Sequence, residues 1–201
     1  MNGAESDTGL LISERLQHAK WHLDRYDRLR ASTASRAAVV LSAAAILSTG
    51  SVLILIFLLG ASGSSVPKPW LVCFCVGLVA CALLVILTLI NAAGVLVTRK
   101  SSRSVFAEAG TPPLSFVFNA SDTVSHWSKY EDFAGAFAST SEESMLTAAV
   151  VELWIVIQQH RLRYSRLRAA VRFLQYAAAT FVTLLAVVVT VVVVTHQQLA
   201  T

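Results

Sequence analysis

Three runs free of Asp, Glu, Lys, Arg and His decide what this chain can become: residues 37–59, 70–97 and 173–195. Inside hydrocarbon every backbone N–H and C=O must find a partner within the protein, which leaves the helix as the form for such a run. At about 1.5 Å per residue, a run of about 23 residues covers the roughly 30 Å core of a bilayer. The second run has 28 residues and so has length to spare for tilt. The expectation is an all-α integral membrane protein with three transmembrane helices. Composition agrees, with 14% charged residues against about 25% in soluble domains, and a mean hydropathy of +0.64.

The basic residues orient the spans. Six precede the first run (Arg15, Lys20, Arg25, Arg28, Arg30, Arg36), and nine stand between the second and third (Arg99, Lys100, Arg103, Lys129, Arg161, Arg163, Arg166, Arg168, Arg172). Lys68 alone lies between the first and second. The positive-inside rule then puts the N-terminus in the cytoplasm and the C-terminus outside. The expected order is a cytoplasmic N-terminal helix (1–36), transmembrane helix 1 (37–59), an external loop (60–69), transmembrane helix 2 (70–97), a small, mainly helical cytoplasmic sensor segment (98–172), transmembrane helix 3 (173–195) and an external tail (196–201). No signal peptide is expected, because 36 residues of mixed charge precede the first run. The net charge of +4 is explained by this distribution and does not indicate nucleic-acid binding.

Residues 1–9 are small and polar and are expected to be disordered. Leu16, Leu23, Tyr26 and Leu29 predict a helix from Leu10 to about Arg36. In the first span, Ala44 with Ser48 and Ala45 with Thr49 form small-xxx-small pairs that let another helix approach, which supports a homo-oligomer. Trp70 is placed to anchor the second span at an interface. Residues 100–113 read as a loop, and Leu114-Ser115-Phe116-Val117-Phe118 as a strand or a clamp on the membrane. Tyr130, Phe133 and Phe137 predict a helix over about 122–138. Thr140-Ser141-Glu142-Glu143 has the form of a capping box, with the Thr140 hydroxyl accepting an amide proton and Glu143 reaching back. No Gly or Pro follows, so one helix is expected to join the cytoplasmic segment to the third span.

Little in the chain suggests covalent chemistry. It holds no phosphate-binding loop, dinucleotide fingerprint, nucleophile elbow or His-Glu-x-x-His, so it is not expected to be an enzyme. Ion-coupled transport usually needs charges inside the spans, and these spans have none. Cys73, Cys75 and Cys81 are expected to be buried small apolar residues rather than zinc ligands. Glu14, His18 and His22 stand four apart on one helix face; a solvated face explains them better than a metal stripe, since a third firm ligand group is missing. His126 and His160 carry no signal alone. Hydroxyls such as Thr88, Thr180, Thr183 and Thr190 are expected to bond to their own backbone.

Arg161, Arg163, Arg166, Arg168 and Arg172 fall within twelve residues. One reading is that they enforce topology and hold anionic lipid, at about 1 kcal/mol per basic residue near the surface. The other is that some bind an anionic ligand, because guanidinium forks match phosphate oxygens. By helical period Arg161 and Arg168 share a face with Arg172 one turn on, while Arg163 and Arg166 lie on another side.

Three places resemble the transmembrane effectors of the bacterial Pycsar anti-phage system: Pro113-Leu114-Ser115-Phe116-Val117-Phe118, the stretch LWIVIQQHRLRYSRLRAAV over 153–171, and the basic helix entering the first span over 28–40. Thr33-Ala34-Ser35-Arg36 stands where that family often carries an Asp and a Lys. The N-terminal helix with paired spans is also similar to the SLATT group of membrane effectors. The resemblance implies antiviral defense at the bacterial inner membrane. A partner pyrimidine nucleotide cyclase would make cyclic CMP or cyclic UMP, and the effector would answer by impairing membrane integrity, as a pore or otherwise, so that infection aborts. On that reading Arg161, Arg163, Arg166 and Arg168 hold the cyclic nucleotide phosphate, and Trp154 or Tyr164 stacks on the base, with no metal or cofactor. The alternative is an accessory subunit of a membrane complex without ligand gating.

Overall fold

The computed structural model describes residues 3–61, 68–97 and 126–200. Its elements are α1 (Gly3–Ala61), α2 (Lys68–Val97), α3 (Tyr130–Ala138) and α4 (Glu142–Ala200). No strand occurs among the described residues. Three helices are long and apolar enough to cross a membrane: α1, α2 and α4. Among the described residues the secondary structure is all helical, and its long apolar helices are those of a membrane protein.

Several boundaries differ from the sequence expectation. The N-terminal helix and the first span are one helix, and it begins at Gly3 rather than Leu10; no proline or paired glycine interrupts the polar-to-apolar change at Arg36–Ala37. Helix α4 continues past residue 195 to Ala200. Helix α3 begins at Tyr130, and the expected start at 122 falls outside the described residues, as do the loop over 100–113, Leu114–Phe118 and most of the loop over 60–69. The cap of α4 is Ser141, not Thr140. The Ser144 amide donates to Ser141 Oγ at 3.2 Å, and the Met145 amide donates to the Ser141 carbonyl at 3.0 Å. That pairing defines an N-cap worth about 1 kcal/mol. Thr140 Oγ1 instead donates to the Ala136 carbonyl at 2.8 Å, closing the end of α3.

The chain divides into two compact units, to both of which α1 and α4 contribute: the first is 1–32 with 98–162, and the second is 33–97 with 163–201. The second unit is a three-helix bundle in three layers. Ala37 and Val40 of α1 meet Ala92 and Val95 of α2 and Leu167 and Ala170 of α4. Ala44 meets Cys81, Val85 and Ala177. Ile54 and Leu58 meet Phe74, Leu78 and Val188. The order of the layers makes α1 and α4 parallel, with α2 antiparallel between them in sequence. Inward positions recur at alternating steps of three and four: 37, 40, 44, 47, 51, 54, 58 on α1; 74, 78, 81, 85, 88, 92, 95 on α2; and 167, 170, 174, 177, 181, 184, 188 on α4. This is the heptad seam of a left-handed bundle.

Lipid tails are as apolar as leucine, so the bundle gains from close packing rather than from water release. Ala37, Ala92 and Ala170 are each fully buried in one layer, and their small size lets the backbones approach. Glycines serve the same end. A Cβ on Gly50 would lie 2.8 Å from Phe181 Cζ, and one on Gly77 would lie 2.5 Å from Leu184 Cδ2. Of the expected small-xxx-small pairs, Ala44 is buried in the bundle and Ser48 donates to its carbonyl at 2.9 Å, whereas Ala45 and Thr49 are exposed.

The cysteines do not share one environment. Cys81 is buried, but Cys73 and Cys75 are exposed. Phe74 takes the inward position, and its two sequence neighbours are turned about 100° to either side of it. Thr88, Thr180, Thr183 and Thr190 each donate to the carbonyl four residues back at 2.8–2.9 Å, as expected of hydroxyls in lipid.

In the first unit Ala19 of α1 and Ala148, Ala149 and Ile155 of α4 are buried. The Tyr26 and His160 rings meet edge-on at 5.6 Å. Helix α3 buries no residue; its Phe133 stacks on Phe137 and meets Trp127 edge-on.

Candidate functional site

The arginines sit where the polar part of α4 becomes its span, and the heptad seam sorts them. Arg163 lies one step before Leu167 on that seam and is only 8% exposed. Arg166 is half-buried, and its Nη1 donates to the Gly94 carbonyl of α2 at 3.0 Å. A Cβ on Gly94 would stand 2.8 Å from that nitrogen, so glycine makes the room the guanidinium occupies. Gly94 is in the last turn of α2, where carbonyls lack helical partners and the dipole is negative, so a cation there is favoured.

Arg161, Arg168 and Arg172 are exposed. The Arg168 guanidinium lies 5.1 Å from the centre of the Tyr164 ring. Of the four arginines assigned to phosphate, the three in the second unit do not converge: Arg168 is joined with Tyr164, Arg166 with Gly94, and Arg163 turns inward, while Arg161 belongs to the first unit. Trp154 is exposed and also belongs to the first unit. Tyr164, the other ring assigned to the base, is exposed and lies in the second unit.

Charge is divided unevenly between the units. All 12 acidic residues lie in the first, while the second contains Arg36, Lys68, Arg163, Arg166, Arg168 and Arg172 and no Asp or Glu.

The first unit contains a cleft of about 590 Å³ between α1 and α4, lined by Glu14, His18 and His22 on one side and Leu146, Val150 and Leu153 on the other. Glu14 and His18 are exposed and His22 is half-buried. No group of three or more His, Cys, Asp or Glu side chains suited to a metal ion is gathered among the described residues. Nearby, burial pushes the Glu152 carboxyl above the usual carboxylate range, and the charge of Asp27 adds to the effect. Neither the Arg166–Gly94 contact nor the Glu152 environment is signalled by a motif. A lone glycine near the end of an apolar run is the one trace the first leaves in the sequence.

Comparisons with protein families, with curated proteins and with solved structures found no match.

Proposed function

We propose that this chain is a membrane effector of a cyclic-pyrimidine-nucleotide defence system. It lies in the bacterial inner membrane with its N-terminus inside and its C-terminus outside, binds cyclic CMP or cyclic UMP made by a partner cyclase, and impairs the bilayer as a homo-oligomer. One observation carries the reading. Helix α4 is a single uninterrupted helix of 59 residues to which both units lay claim, so the element that would meet the messenger is also the element that crosses the bilayer. The Pycsar-like stretch over 153–171 lies on that same helix. The messenger site falls to the first unit, where Trp154 offers an exposed ring and Arg161 an exposed guanidinium. Arg163 and Arg166 position the span rather than touch the ligand.

A second reading, an accessory subunit without ligand gating, is favoured by the divergence of the arginines, since a phosphate pocket usually gathers its cations. Equilibrium binding to the detergent-solubilised full chain separates the two. The effector reading predicts saturable binding of cyclic CMP or cyclic UMP, little of cyclic AMP or cyclic GMP, and loss of binding in Trp154→Ala. No binding of any of the four favours the subunit.

A further inference from the structure

On α4, Tyr164, Arg168, Arg172 and Tyr176 follow one another at intervals of four, and all four are exposed. Neighbouring members lie about 5–6 Å apart, each turned about 40° from the one before, so the row winds about 120° around the helix from Tyr164 to Tyr176. The ladder begins with the Tyr164–Arg168 ring contact and ends within the uncharged run. It brackets Ala170, the residue that joins α4 to the first bundle layer with Ala37; Arg36, exposed, directly precedes Ala37. The second unit offers these arginines no carboxylate, because it contains neither Asp nor Glu. Two and three heptads beyond Arg168, and so on its side of the helix, α4 presents Val182 and Val189 outward, as a surface for acyl chains.

We infer that the Tyr164–Arg168–Arg172–Tyr176 face is a binding surface for an acidic phospholipid. The two guanidiniums take the headgroup phosphate, Tyr176 lies at the glycerol level, and the acyl chains run along the valines of α4. Guanidinium forks suit phosphate oxygens, and tyrosine suits the boundary between headgroup and hydrocarbon. A zwitterionic lipid brings its own ammonium to the phosphate and adds no net negative charge beside Arg168 and Arg172, so the surface selects a net negative lipid. The assignment is independent of the cyclic-nucleotide reading.

The test uses the full chain in neutral detergent. Its thermal unfolding and its retained lipids, counted by native mass spectrometry, are followed as dispersed phosphatidylglycerol, phosphatidylcholine, inorganic phosphate or cyclic CMP is added. Phosphatidylglycerol is expected to raise the unfolding temperature and to be retained in preference to phosphatidylcholine. Arg168→Gln/Arg172→Gln should cut that preference about thirtyfold, Arg168→Lys/Arg172→Lys should keep most of it, and Lys20→Gln should leave it unchanged. Equal retention of the two lipids by the unaltered chain overturns the inference, as does a double glutamine variant that still prefers phosphatidylglycerol. Stabilisation by inorganic phosphate or cyclic CMP that equals that by phosphatidylglycerol, and is lost in the same double variant, also overturns it by giving the face to a soluble phosphate.

Discussion

Arg166 and Gly94 form one fitted contact: Nη1 donates to the carbonyl at 3.0 Å from the space a side chain on residue 94 would fill. The pair fastens the polar end of the third span to the last turn of the second. Gly94→Val should displace the guanidinium and cost about 1–3 kcal/mol. Arg166→Ala should remove most of that further penalty, because residues in contact do not add independently. Thermal unfolding of both single variants and the double variant checks this; strict additivity would contradict the contact.

Gly77 gives a second test of the bundle. Its missing Cβ leaves room for Leu184, so Gly77→Val should destabilise by about 1–3 kcal/mol and Leu184→Ala should recover part of the loss. Gly60, around which a new Cβ meets nothing, is the control. There Gly60→Ala should be neutral or slightly stabilising through helix propensity. Equal effects at 60 and 77 would contradict the packing.

The thiols should divide two to one. Cys73 and Cys75 are exposed, whereas Cys81 is fully buried with its Sγ 3.7 Å from Ser51 Oγ and 3.6 Å from the Ala177 carbonyl. In mild detergent a small apolar maleimide should label two thiols quickly and the third only on unfolding. Single-cysteine variants assign which is which. Rapid labelling of a variant retaining only Cys81 would contradict the fold.

Glu152 predicts a pH dependence. Its folded pKa is raised by burial and by Asp27, so the folded state holds this proton more tightly than the unfolded one. Stability from this group therefore falls as pH rises from the ordinary carboxylate range through the raised folded value, and the penalty persists above it. Unfolding temperature measured across that window should decline in the parent chain, and less so in Glu152→Gln. Asp27→Asn should weaken the same decline. Identical pH profiles for the parent and Glu152→Gln would contradict the assignment.

The three spans are legible in the sequence because missing charge is a strong signal over twenty or more residues. Their seam is much less so. Every face of these helices is apolar, so no contrast marks the inward one; only small residues seven apart, Ala37, Ala44 and Ser51 on α1 and Ala170 and Ala177 on α4, trace it. The exposure of Cys73 and Cys75 follows from that hidden register. The division of arginines by helical period is legible: Arg161, Arg168 and Arg172 are exposed, while Arg163 and Arg166 turn toward protein. The partner of Arg166 is not, because it is a backbone carbonyl 72 residues away, and no side-chain pattern announces it. The α4 cap is misplaced by one residue because adjacent Thr140 and Ser141 both suit an N-cap, and Thr140 is engaged by α3.

The most direct measurement is release from vesicles. The full chain is inserted into dye-loaded vesicles containing phosphatidylglycerol, and cyclic CMP, cyclic UMP, cyclic AMP and cyclic GMP are added separately. The account predicts dye release with a pyrimidine cyclic nucleotide, none with the purine ones, and none from protein-free vesicles. Silence with all four from correctly inserted protein, or equal release with all four, would contradict it.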